Sequence, residues 1–266
     1  MIVNARMYSA TQAAKRAWNE VLAWALLHAG LAWKLYDYDE PAPLDSLWIR
    51  EDLGCVLMCG LAYSRREPQP VLVAAPVPSP ARYAGRAIYF TDIVVRAESS
   101  FERLEDTFGS VVGYTLPDSL SGCVALRSHL LPYSEAAGRP LYRKAVGGFV
   151  NARALIEALA SGRIDVAPLD SFYHDLLKLG APQFAAQVRT IASTPAAPIP
   201  PFVATGAIEE TNLKRLRAAL AAVGTAPELA VARATLLLDR LVVPAESDYA
   251  AIRTIAQAAA QYGDPW

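Results

Sequence analysis

The sequence has no block of like charges, no paired cysteine framework and no apolar run long enough to span a bilayer. Each absence excludes something. Lysine and arginine number 25 against 26 aspartates and glutamates, for a net charge of −1. Nucleic acid and anionic membrane surfaces are therefore not expected as partners, because both are held by clustered positive charge. Three cysteines, Cys55, Cys59 and Cys123, cannot all pair, and Cys55 and Cys59 fall in one predicted strand, too stretched for a bridge. Buried thiols in a reducing compartment are expected instead. His28, His129 and His174 stand on separate elements, none at finger spacing from a cysteine pair, so neither a zinc site nor any cofactor is expected. Residues 21–33, the longest apolar stretch, are interrupted by His28 and Gly30 and are too short to cross a membrane, so no membrane insertion is expected. The opening, Met1 to Tyr8, lacks the apolar region and small-residue cleavage site of a secretory signal. It predicts a cytoplasmic protein as sequenced, or a periplasmic one if Met1 has been added to a mature chain.

What the sequence has in quantity is apolar surface: 53% of its 266 residues are hydrophobic and 19% are charged. That length suits two lobes or one large α/β unit with a sizeable core. Strand and helix signals alternate along most of the chain, the pattern of a mostly parallel sheet covered by helices. Continuous apolar runs at residues 54–59 and 71–75 predict strands buried on both faces. Residues 88–95 predict one long strand with Asp92 on the face of Ile88, Phe90 and Val94, and a carboxylate there needs a partner. Ser9-Ala10-Thr11-Gln12 has the form of a capping box that opens a helix to about Ala29, with His28 a satisfied residue at its end. Asn151 predicts a cap for a helix to Ala160. Four prolines within residues 194–201 are too stiff for a helix and mark a crossing between lobes.

The stretch Thr115-Leu116-Pro117-Asp118-Ser119-Leu120-Ser121-Gly122 carries chemistry. It sets two hydroxyls and a glycine at a predicted helix start just after a buried strand. Amides at a helix N-terminus lack acceptors and carry partial positive charge, so an anionic group docks there without a basic side chain. The plainer reading is a cap, with Ser121 capping a helix through Leu130.

Three stretches in order resemble the phosphonate- and phosphate-binding proteins of bacterial ABC transporters, a branch of the type 2 periplasmic-binding fold. Residues 93–99 with 104–109 resemble the family's "VVRADS…LEDLKG" segment, residues 117–122 its "D-P-x-S-x-SG" loop, and residues 160–171 its "A-x-G-x-A-D-V-A-A-x-D" stretch. The resemblance is strongest over residues 54–205. It implies two α/β lobes, one of residues 1–92 with 200–266 and one of 93–199, with hinge crossings near 88–96 and 192–203. It also implies a cleft that closes on a small anionic ligand, and an ABC transporter permease as partner. Ser119, Ser121 and the amides of Leu120 to Gly122 would hold the anionic head group. Asp170 would receive a ligand amine or hydroxyl, its plainer role being the cap of the following helix. Tyr8 would close over the ligand from the first lobe. Cys59, Gly60 and Asn151 also fall at strand ends facing such a cleft, and Thr91 on the crossing strand joins the candidate ligand contacts. Two departures matter. No histidine stands in Gly147-Gly148 before Asn151, and Leu120 replaces the usual hydroxyl between the serines. Both remove polar contacts to a tetrahedral dianion, so a less charged ligand such as a carboxylate gains ground.

A second reading keeps the fold and changes the function. Cytoplasmic lyases such as chorismate dehydratase share it, and their chemistry would need an acid or base. Asp92, Asp170 and Cys59 are the candidates, none with a partner visible in the sequence.

Overall fold

Apolar runs in this chain become strands where both faces are covered. The computed structural model describes residues 1–261 and residue 266. In chain order its strands are β1 (Ile2–Asn4), β2 (Lys34–Leu35), β3 (Leu53–Leu57), β4 (Val71–Pro78), β5 (Ile88–Tyr89), β6 (Thr91–Arg96), β7 (Val111–Gly113), β8 (Lys144–Val146), β9 (Val166–Asp170), β10 (Val188–Ser193), β11 (Ala197–Pro198), β12 (Phe202–Ala204) and β13 (Leu238–Val242). The chain divides into two compact units, the first Met1–Ile88 with Pro198–Ala250, the second Tyr89–Ala197 with Ala251–Trp266.

Unit 1 holds a six-stranded sheet in the order β13-β4-β12-β3-β1-β2. Strand β1 runs parallel to both β2 and β3, while β12 runs antiparallel to β3 and β4. The helix Gln12–Ala29 buries Ala14, Ala17, Trp18, Val21, Leu22, Ala25 and Leu26 at helical spacing, and Trp18 sets its edge against Phe202 at 5.6 Å. The capping box expected at Ser9 is not the one used. Thr11 caps this helix, accepting from the Ala14 amide at 3.1 Å, while the Ser9 hydroxyl turns back to donate to the Ala5 carbonyl at 3.2 Å. Gly30 ends the helix at φ 60°, and His28 Nδ1 lies 2.8 Å from the Trp24 carbonyl, as a satisfied residue at a helix end should.

Unit 2 holds a five-stranded sheet in the order β10-β6-β9-β7-β8. Strand β7 is parallel to β8 and β9, and β6 is antiparallel to β9 and β10. Ile93, Val95, Val112, Leu126, Leu130 and Val166 form its apolar core. The strand expected over residues 88–95 is two strands, because Phe90 bonds elsewhere. Its amide donates to the Ser171 hydroxyl at 2.9 Å and its carbonyl accepts from the Ser171 amide at 3.0 Å. On one side β5 pairs with β11 in a two-stranded ribbon; on the other β6 enters the sheet. Ala251–Trp266, expected with residues 200–250, falls in unit 2, where Trp266 packs against the core cluster. Within that stretch residues 262–265 lie outside the described residues.

Asp92 has the partners its apolar surroundings demand. It is fully enclosed, with Oδ1 accepting from the Ser193 hydroxyl at 2.8 Å and Oδ2 lying 3.3 Å from His174 Nδ1. An ionised carboxylate only accepts, so the imidazole donates its Nδ1–H. The three cysteines are buried and none is joined in a disulfide, and burial pushes the Cys55 thiol pKa well up. No described helix is long and apolar enough to cross a membrane, and the described residues hold no cluster suited to a metal ion. Replacing His174 by alanine removes one partner of the buried carboxylate and should lower the unfolding free energy by about 3 kcal/mol. Urea denaturation measures this, and a loss below about 0.5 kcal/mol, the range of an inconsequential substitution, would show the pair to be dispensable.

Candidate anion-binding site

Parallel strands end on a common edge. In unit 2 the carboxyl ends of β7, β8 and β9 share one edge, and β6, antiparallel to β9, begins there with Thr91 opposite Asp170. The loop after β7 is tied across itself and to its neighbour. The Thr115 amide donates to the Gly122 carbonyl at 3.0 Å, and the Gly148 amide to the Thr115 carbonyl at 2.9 Å. Thr91, Ser119 to Gly122, Asn151 and Asp170, all singled out from the sequence, are thereby brought to one edge of one sheet.

Ser119, not Ser121, is the cap. Its backbone is extended, at φ −78° and ψ 124°, and its Oγ accepts from the Gly122 amide at 3.1 Å. The helix opens with a π turn over Leu120–Val124 and runs on as α-helix over Ala125–Ala137, past the expected end at Leu130 and through Pro132, until Gly138 closes it at φ 60°. Leu120 is fully buried and Ser121 half-buried. A Cβ on Gly122 would stand 1.9 Å from Thr115 Oγ1 and 2.8 Å from Ser119 Oγ, so these hydroxyls require glycine there.

Two more helices start on this edge. Asn151 Oδ1 accepts from the Ala154 amide at 2.9 Å and caps Ala152–Ala160, as expected. Asp170 Oδ1 accepts from the amides of Phe172 at 2.9 Å and Tyr173 at 3.0 Å and caps Ser171–Gly180. Three capped helix N-termini on one edge supply partial positive charge without a lysine or arginine. At Gly147 any side chain, a histidine included, is excluded on steric grounds. A Cβ on Gly147 would lie 2.4 Å from the Tyr114 ring, which is itself stacked on Trp266 with centroids 5.3 Å apart.

In unit 1 the carboxyl ends of β1 and β3 lead to Tyr8, in the single turn Arg6–Tyr8, and to Cys59, which precedes the helix Gly60–Arg65. Tyr8 is 1% exposed, while Cys59 and Gly60 are buried. A cavity of about 280 Å3 beside the ends of β1 and β2 contains none of the candidate ligand contacts named from the sequence; Asn4, Arg6, Lys15, Asp37, Tyr38 and Asp39 are among its lining. Its cations are already matched. Lys15 bonds Asp37 at 2.6 Å and Asp39 at 2.7 Å, which holds the ammonium pKa above its usual value, and Arg6 donates to the Ala42 carbonyl. An anion would find little uncompensated charge there. Asp92, considered above as an acid or base, is spent on His174 and Ser193 inside unit 2. Sequence reasoning missed two packing contacts of this edge, the Tyr114 ring against Gly147 and the Thr115 hydroxyl against Gly122, both of which only folding brings together.

The fold is that of the type 2 periplasmic-binding proteins. Among solved structures, a binding protein component of an ABC phosphonate transporter from Pseudomonas aeruginosa is similar with a TM-score of 0.79 at 17% identity, over 98% of this chain and 87% of that one. PhnD1 from Prochlorococcus marinus, solved in complex with methylphosphonate, gives 0.75 at 15% identity over 97% of each chain. A histidine kinase sensor domain with similarity to periplasmic binding proteins gives 0.56 at 15% identity, over 92% of this chain and 97% of that one. No curated protein matches the chain. Residues 53–249 match the model of the family described as ABC transporter, phosphonate, periplasmic substrate-binding protein, and the chain belongs to that family.

The cap at Asp170 can be weighed apart from any ligand. Asp170→Ala should lower stability by about 1 kcal/mol through loss of its two amide contacts. Chemical denaturation without ligand measures this, and no change would show that the cap contributes nothing to the fold.

Proposed function

We propose that this protein captures a small anionic organic molecule for an ABC transporter, holding the head group on the serine-bearing edge of unit 2 and closing its two units around the remainder. The observation that carries the reading is the gathering of three capped helix N-termini and the Ser119 and Ser121 hydroxyls on one sheet edge. Ser119 Oγ accepts from Gly122, which leaves its own O–H to donate outward. The amides of Leu120 and Ser121 come too early in the helix to have intrahelical acceptors. Asp170, placed at the end of its strand on this edge, would orient an amine or hydroxyl on the ligand. Tyr8, Cys59 and Gly60 would meet the ligand from unit 1. The family's members are periplasmic, and we place this receptor in that compartment with a transporter permease as its partner. The likeness to a kinase sensor domain favours a second use of the same capture step, the reporting of a solute rather than its delivery.

Ser119→Ala combined with Ser121→Ala should weaken methylphosphonate binding by about 1–3 kcal/mol for the pair, as hydrogen bonds to a charged group are lost. Calorimetry measures this, and unchanged affinity would move the site off this loop. Ligand at a hundredfold excess over its Kd should add about 2.7 kcal/mol of stability. The scattering radius should fall on binding. Tight binding at constant radius would refute closure while leaving the head-group site in place.

A further inference from the structure

We propose that the anion taken on this edge carries an apolar organic substituent, and that Leu116 and Val150 form the surface that receives it. The inference rests on the anion-binding reading above and adds the chemistry of the part of the ligand that is not its head group.

Beside each of the three caps stands an apolar side chain that folding leaves partly open. Leu116 lies in the turn that ends at Ser119, its carbonyl accepting from the Ser119 amide at 3.0 Å, and is 48% exposed. Val150 directly precedes the cap Asn151 and is 59% exposed. Phe90 is half-buried, and both of its backbone groups bond Ser171, the first residue of the helix that Asp170 caps. The loops of Leu116 and Val150 are joined as well, since the Gly148 amide donates to the Thr115 carbonyl at 2.9 Å.

Single exposed apolar residues are ordinary and call for no account. These are gathered. Among the described residues of unit 2 the exposed large apolar side chains are Leu116, Val150 and Leu179, and Leu179 alone lies off this edge, at the other end of the helix that Asp170 caps. Nor is Val150 spent on its own helix. An apolar residue before a cap commonly packs on the fourth helical residue, here Leu155, yet Leu155 is fully buried while most of Val150 stays open. Small-molecule sites set a few polar groups in a mainly apolar lining, and here the polar groups are already grouped at the caps. A bare anion would leave the apolar surface wet. An anion with an alkyl substituent gains by covering it.

Calorimetric titration with methyl-, propyl- and pentylphosphonate, on wild type, Leu116→Asn and Val150→Thr, tests this. Both substitutions fall on exposed loop positions, and thermal melting without ligand checks that each variant folds. Wild-type affinity should rise about threefold for each added methylene. In each variant the rise should fall below about twofold per methylene, so that the loss against wild type grows along the series to about tenfold for pentylphosphonate. Methylphosphonate binding with no gain along the series refutes the apolar surface and leaves the head-group site standing. A gain that both variants keep refutes the role of Leu116 and Val150. A loss equal for all three probes shows these side chains to be covered by the protein itself when it closes, and overturns their assignment to the ligand. Wild type that binds none of the three overturns the anion reading and this inference together.

Discussion

The parallel pairing of Val112 with Val166 is the contact on which the candidate site depends. Both residues are fully buried, and the pairing sends β7 and β9 out of the core in the same direction. A parallel pair cannot be joined by a tight turn, so each strand must leave through a loop and a helix, and each helix must start on the edge where its strand ends. The serine loop, the Asn151 cap and the Asp170 cap follow from that arrangement. Had β7 run the other way, its loop and the Asp170 cap would have stood on opposite edges.

On the proposed function, this architecture would recognise charge without opposing charge. A lysine or arginine in such a site would need a carboxylate to hold it while empty, as Lys15 has Asp37 and Asp39 in the unit 1 cavity. Amides and hydroxyls need no such partner. They can stand ready on a rigid edge, oriented by caps that are themselves internal hydrogen bonds. The cost of organising them is met during folding, and little reorganisation is left for the moment of binding.

Much of this was legible in the sequence because it is local. Continuous apolar runs gave β3 and β4, and Asn151 capped the helix it was expected to cap, since a cap depends on residues three or four apart. The serine motif could be placed at a helix start for the same reason, although which serine caps turned on backbone angles that spacing alone does not fix. What escaped depends on distant partners. Phe90 breaks its strand because of Ser171, Asp92 finds His174 and Ser193, and Gly147 is glycine because of Tyr114. The close approach of the Thr115 hydroxyl to Gly122 escaped likewise, because only the folded loop brings the two together.

Leu120 has one further consequence. Its side chain is fully buried while its neighbours on either side, Ser119 and Ser121, are half-buried, so the loop is nailed to the core at its midpoint. Lifting the loop would expose that side chain at about 1.5–3 kcal/mol. The donors around it are therefore held in one arrangement, and on the proposed function differences among ligands would be read as misfit against a fixed template. A looser loop would have blurred them by adapting its own shape.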